Sequence, residues 1–176
     1  MRVIAGLYKG RALFSPAQTD RLVRPTSDRA KEGLFNVLQW SLREVSFLDL
    51  FCGSGAIGIE ALSRGAHVTF VDDAQPSLDL TRANLKKLGA AAEVVKSDAL
   101  AFLRGTSLRF GYIFLDPPYN TEGIGSVLRL AAARADTVIY EHTAKSAPRI
   151  PDGCVVTDTR RYGLNGFTFL KAEEEL

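Results

Sequence analysis

Asp49 lies within the short apolar run "FLDLF", and three more aspartates stand at or beside the ends of such runs: Asp72 in "HVTFVD", Asp98 in "AEVVKSD" and Asp116 in "YIFLDP". Between the first two lie Gly53, Gly55 and Gly58, spaced G-x-G-x-x-G. Glycines there let the backbone approach a ligand closely, and their spacing is that of a dinucleotide-binding loop. Asp72 follows Gly53 by 19 residues, where a carboxylate can accept both ribose hydroxyls. Asp98 can hold an adenine amine, or it can cap the helix that follows. A pyrophosphate fits the first acid badly, because its charge beside Asp49 costs a few kcal/mol at an effective dielectric of about 20. S-adenosylmethionine carries a sulfonium and an ammonium and no phosphate, so Asp49 attracts its methionine end. The loop suits that cofactor better than NAD.

The segment "YIFLDPPYN", residues 112–120, is more specific. Pro117 and Pro118 hold the chain extended and remove two amide donors. What remains is a set of acceptors: the Asp116 carboxylate and the carbonyls of Asp116 and Pro117. Such a set holds an exocyclic amine by its hydrogens and favours a more tetrahedral nitrogen, with its lone pair aimed at a methyl donor. Tyr119 supplies a ring for stacking on a base that is flipped out or already unpaired.

The elements that must position these groups alternate. Strands are expected at 47–51, 67–72, 92–98, 112–117 and 137–142, and helices at 56–65, 75–89, 98–105 and 122–135. Repeated strand–helix–strand units indicate an α/β parallel sheet covered on both faces, with ligands at the carboxyl ends of its strands. "CVVTDTRRY" and "GFTFLKA", joined around Gly163, read as an antiparallel hairpin. Ahead of the first core strand, residues 26–42 read as a helix capped by Thr26 or Ser27, and residues 2–14 as a small hairpin turning at Lys9 and Gly10.

The chain of 176 residues is long enough for one domain, a basic arm and helix over 1–43 followed by a catalytic core over 44–176. Residues 1–43 carry eight Lys or Arg against three acids, although the whole chain has a net charge of only +2. That asymmetry suits a polyanionic partner, with Arg2, Lys9, Arg11, Arg21 and Arg24 as phosphate contacts. No apolar run approaches a membrane span of about 20 residues, and "MRVIAGLYKGRAL" lacks a signal-peptide centre, so a cytoplasmic location is expected. Cys52 and Cys154 are too few for a disulfide framework.

Together, "RVIAGLYKGRAL", "RPTSDRAKEGLFNVL", "LDLFCGSGAIGIEALSRGA", the D-P-P-Y segment and "RRYGLNGFTFL" resemble the RsmD-like family, bacterial methyltransferases of guanine N2 in small-subunit ribosomal RNA. The resemblance spans residues 2–170. It implies a Rossmann-like, seven-stranded class I methyltransferase sheet, with S-adenosylmethionine as cofactor and ribosomal RNA or a small-subunit particle as partner. It further implies cofactor contacts from Asp49, Phe51, Gly53, Ser54, Gly55, Asp98 and Ala99, and from Asp72 or Asp73 at the ribose. In this family that acid is usually glutamate, and "VDD" leaves open which aspartate takes its place. Asp116, Pro117 and Tyr119, with Pro118, would take the guanine. Arg24 and Arg29 match the opening signature near the methionine end or the RNA. The expected chemistry is direct in-line methyl transfer, with Asp116 or water accepting the released proton. No metal is expected, and a monomer is assumed from size.

Other readings fit less. An NAD-dependent oxidoreductase explains the glycines but neither Asp49 nor D-P-P-Y. A non-catalytic RNA-binding module has no use for a cofactor pocket. Carbon-5 methylation of pyrimidines needs a nucleophilic cysteine, and neither cysteine follows a proline as it does there. His67 and His142 are isolated, and no P-loop motif exists. Adenine N6 methylation also uses D-P-P-Y, but the 17 residues between Asp98 and Asp116 leave no room for a DNA-reading domain. Guanine offers N1–H beside its N2 amine, a two-donor edge that suits paired acceptors.

Overall fold

The computed structural model describes residues 1–16 and 26–174. Arg21 and Arg24, both expected to contact substrate, lie outside the described residues. Twelve elements follow in order: α1 (Asp28–Leu38), β1 (Ser46–Leu50), α2 (Ala56–Ser63), β2 (His67–Asp72), α3 (Gln75–Leu88), β3 (Glu93–Lys96), α4 (Ala99–Gly105), β4 (Phe110–Leu115), α5 (Ile124–Arg134), β5 (Ala135–Thr143), β6 (Cys154–Tyr162) and β7 (Asn165–Ala172). They form one seven-stranded sheet in the order β3-β2-β1-β4-β5-β7-β6. Strands β1 to β5 pair in parallel, while β7 runs antiparallel to both β5 and β6. This is the class I methyltransferase sheet.

Strand alternation sends two apolar sets to opposite faces. Phe47, Phe70, Phe114, Ile139 and Phe167 pack under α1, α2 and α3. Leu48, Leu50, Ile113, Leu115 and Val138 pack under α4 and α5. Both faces are covered, which explains near-continuous apolar runs in the central strands. The strand order places β1 beside β4, so the chain diverges there and opens a crevice at the carboxyl edge. The hairpin β6–β7 turns at Gly163 and Leu164, with Gly163 at φ +62° where such a turn needs positive φ. Among the described residues no helix is long and apolar enough to cross a membrane.

Several boundaries differ from expectation for local reasons. Helix α1 stops at Leu38 and not at Leu42, because both the amide and the hydroxyl of Ser41 donate to the Leu38 carbonyl at 2.9 Å and close a turn. Leu42 is buried regardless. Ser27, not Thr26, caps α1, accepting from the Ala30 amide at 3.1 Å. Strand β4 ends at Leu115, before the two prolines, so Asp116 stands just past it. The N-terminal hairpin reduces to a single bridge between Arg2 and Ala12, with Gly10 at φ +79° in the turn.

A fully buried glutamate explains why so short a hairpin is held. Glu60 on α2 accepts from the amides of Ile4 and Ala5 at 2.9 and 3.1 Å. It also pairs with Lys31 at 3.3 Å and with Arg64 at 2.9 Å. Lys31 is likewise buried and donates to the Arg2 carbonyl at 2.6 Å, tying α1, α2 and the arm together.

Candidate active site

The sheet converges three of the expected groups, and one that was not expected, on one edge. Asp49, Phe114 and Ile139 share a register row across β1, β4 and β5, so Asp116 and Glu141, two residues further on, share that same face. Asp72 ends β2 next door.

Asp49 lies beneath the glycine loop, not on its surface. It is only 1% exposed, and its Oδ2 accepts from the Gly58 amide at 2.8 Å. Gly58 is required by space: a Cβ there would stand 2.3 Å from the Phe70 ring and 2.9 Å from Asp49 Oδ2. Gly55 is required by conformation, at φ +78° as the residue that starts α2. Phe51 also adopts positive φ, +64°, a strained backbone kept at the head of the loop. The loop is then clamped from α3 and β2. Thr81 Oγ1 donates to the Gly53 carbonyl at 2.9 Å, and Asn84 Nδ2 to the Ser54 carbonyl at 2.9 Å. Asp72 Oδ2 accepts from the Gly53 amide at 3.0 Å and its Oδ1 from the Ala74 amide at 2.9 Å. Asp73 is exposed beside it. Asp98 caps α4, accepting from the Ala101 amide at 2.9 Å through Oδ1, and Ala99 is buried behind it.

Past β4, the Pro118 carbonyl is taken by the Thr121 hydroxyl at 2.7 Å. No donor among the described residues reaches the Asp116 carboxylate or the carbonyls of Asp116 and Pro117. Tyr119 is 69% exposed beside them, and Asn120 turns the chain away at φ +61°. Free acceptors and an open ring therefore occupy one corner.

Glu141 is the candidate site residue that sequence reasoning missed. It is buried on β5, and it accepts from Thr26 Oγ1 at 2.6 Å and from Asn165 Nδ2 at 2.7 Å. A charged residue at an inward position of the core run "TVIYEHT" was the available signal. Burial pushes its carboxyl up to about 7, against the two hydrogen bonds. Burial also holds Asp116 well above the usual carboxylate range, with Glu141 and Asp49 pushing the same way. Asp49 is raised by burial too, opposed by the Gly58 amide and aided by Asp72 and Glu141. Neighbouring carboxyls raise one another's proton affinity, and a cation among them would favour their ionised forms. The site thus has the charge character to accept a cationic ligand and repel a pyrophosphate.

The remaining expected residues fall elsewhere. Arg29 is exposed on the first turn of α1, three residues after buried Thr26. Lys9 and Arg11 sit near the far ends of α2 and α3: Arg11 donates to the Lys87 carbonyl at 2.8 Å, and the Leu7 amide to the Ser63 carbonyl at 2.7 Å. Helix α3 alone spans about 21 Å, so the structure does not bring these cations to the aspartates. Burial raises both thiols. Cys52 Sγ lies 3.6 Å from Thr81 Oγ1, so neither cysteine is poised as a nucleophile. The His142 ring is committed to the Thr143 carbonyl and the Thr168 hydroxyl, both at 2.8 Å.

Residues 1–171 match the family model described as conserved hypothetical protein 95. The chain is a member of the RsmD-like family. The Bacillus subtilis protein YlbH is 37% identical over 183 residues, covering 97% of this chain and 98% of that protein. The ribosomal RNA small subunit methyltransferase D of Haemophilus influenzae is 36% identical over 160 residues, covering 85% of this chain and 82% of its own length. The solved structure of Escherichia coli yhhF superposes with a TM-score of 0.83 at 28% identity and covers 98% of both chains. That solved structure therefore shares this fold over nearly the whole length of both chains.

Proposed function

We propose that this protein transfers a methyl group from S-adenosylmethionine to the exocyclic N2 amine of a guanine in small-subunit ribosomal RNA. Its membership of a methyltransferase family, with relatives named for ribosomal RNA, supports the reaction class. One observation carries the rest: unpaired acceptors and an exposed tyrosine stand at the end of β4, beside a glycine loop laid over buried carboxylates.

S-adenosylmethionine is the cofactor, and it supplies a methyl group made electrophilic by a sulfonium. The loop from Phe51 to Gly55 would receive it, with Asp72 or Asp73 at the ribose and Asp98 with Ala99 at the adenine. Asp49, below the loop, favours its positive charge through the field and not by contact. Asp116 and the carbonyls of Asp116 and Pro117 accept hydrogen bonds from the target amine, and the ring of Tyr119 stacks on the base beside Pro118. Holding two reactants in one geometry supplies most of the rate enhancement, and acceptor contacts at the amine supply the rest. Asp116, or water, would accept the released proton. The arm over 1–43 and the core over 44–176 would act as one unit, a cytoplasmic monomer that engages naked RNA or the small-subunit particle.

Incubation of unmethylated small-subunit ribosomal RNA with radiolabelled cofactor, followed by nucleoside mass spectrometry, tests the reading. N2-methylguanosine is the expected product. N6-methyladenosine would move the assignment to adenine, and binding of NAD without transfer would move it to an oxidoreductase.

A further inference from the structure

An RNA substrate faces a conflict at this site, because the edge that takes the base is lined by carboxylates that repel its phosphates. Backbone anchorage must therefore come from elsewhere on the surface. One group of exposed cations lies on the arm and α3, where the two segments meet. Residues 1–16 contain Arg2, Lys9 and Arg11 and no acid, and residues 75–94 contribute Arg82, Lys86 and Lys87 against Asp79 and Glu93.

The two segments form one rigid surface. Arg11 Nη2 donates to the Lys87 carbonyl at 2.8 Å, and the Lys87 ammonium lies 4.5 Å from the centre of the Phe14 ring. Phe14 is fixed to α3 through both backbone groups, its amide to Asn84 Oδ1 at 2.7 Å and its carbonyl to Asn84 Nδ2 at 3.0 Å. Within the turn, Arg2 Nη1 donates to the Gly10 carbonyl at 2.9 Å, which keeps the two remaining arm cations together. Across α3, Arg82 and Lys86 border a shallow basin of about 520 Å³ floored by Leu85, Ala90, Ala92 and Val94. The same Asn84 that holds Phe14 donates to Ser54 in the cofactor loop, so the cationic surface ends where the candidate active site begins.

We infer that this arm–α3 ridge is a docking surface for the phosphate backbone of RNA flanking the target nucleotide, about one helix length from the chemistry. The inference rests on the proposed RNA substrate. It assigns to Arg82 and Lys86, which lie outside the arm, the same role as Lys9. Ridge and site divide the labour by charge: exposed cations hold the polyanion, while buried carboxylates hold the cationic cofactor and the amine.

The test uses the full chain with Arg82, Lys86 and Lys9 all replaced by alanine. All three side chains are exposed and none has a buried partner, so the fold and the affinity for S-adenosylmethionine should match wild type. Binding of transcribed small-subunit ribosomal RNA is measured from about 50 to 200 mM salt. The inference expects affinity to fall at least tenfold at the lower salt, and the log–log salt slope to shrink by about 0.7–0.9 for each phosphate that the variant no longer neutralises. An unchanged slope overturns it. So does a weakening seen only with the assembled particle and not with naked RNA, since the ridge would then meet protein. Methyl transfer by wild type in the same preparation separates the two proposals. Transfer with an unchanged slope removes the ridge alone, and no transfer to any RNA removes both.

Discussion

The carboxyl edge of the sheet and the arm–α3 ridge carry opposite charge, and they hold it in opposite ways. At the edge, Asp49 and Glu141 are buried and Asp116 is free of donors, so charge there is desolvated and shifts proton affinity. On the ridge, Lys9, Arg82 and Lys86 stand in water, where salt screens them within about 10 Å. Buried charge discriminates by ligand sign at short range. Exposed charge captures a long polyanion with little geometric demand.

The comparison breaks most severely at Asp116. Replacing it by alanine should lower kcat by a factor of about 10³ or more, while calorimetry finds S-adenosylmethionine bound within a few-fold of wild type. Normal turnover would remove Asp116 from the chemistry. Next comes the anchor that holds the arm against α1 and α2. Glu60→Ala leaves Lys31 buried without its counter-charge and frees the Ile4 and Ala5 amides, so unfolding free energy should fall by about 3–5 kcal/mol in urea titrations. Gly58→Ala forces a methyl against Phe70 and Asp49 and should cost about 1–3 kcal/mol, with weaker cofactor binding than its stability loss alone explains.

The smallest effect sharpens the contrast by pH. Glu141 has its carboxyl raised to about 7 in the fold from an ordinary value of 4.5, so the folded state holds a proton that the unfolded state has lost between those values. Stability should therefore decline as pH rises from about 4.5 to 7. Glu141→Gln keeps a side chain that can accept from Thr26 and should flatten that decline. Equal pH profiles for variant and wild type would show that Glu141 does not carry it.

Much of this architecture is legible in the sequence, because periodicity and punctuation are local. The five parallel strands, the closing hairpin and the glycine loop follow from apolar spacing and from glycine and proline positions. The expected helix over 26–42 overran because the turn at Ser41 is closed by the amide and hydroxyl of that one residue. The contacts that sequence reading missed are long-range ones. Lys31 meets Glu60, Asn84 meets Phe14 and Ser54, and Thr26 meets Glu141 across 115 residues, and no spacing rule connects such partners. Asp98 illustrates a motif with two readings: it caps α4 and still leaves Oδ2 without a partner among the described residues.

Proton release on cofactor binding tests most directly whether the buried carboxylates form a receptor for positive charge. Titration calorimetry with S-adenosylmethionine near pH 6.5, in buffers of different ionisation enthalpy, should show protons leaving the protein. Affinity should rise as pH increases toward 8, because a bound cation draws the raised carboxyl pKa values down. Binding without proton exchange, or proton uptake, would contradict the account.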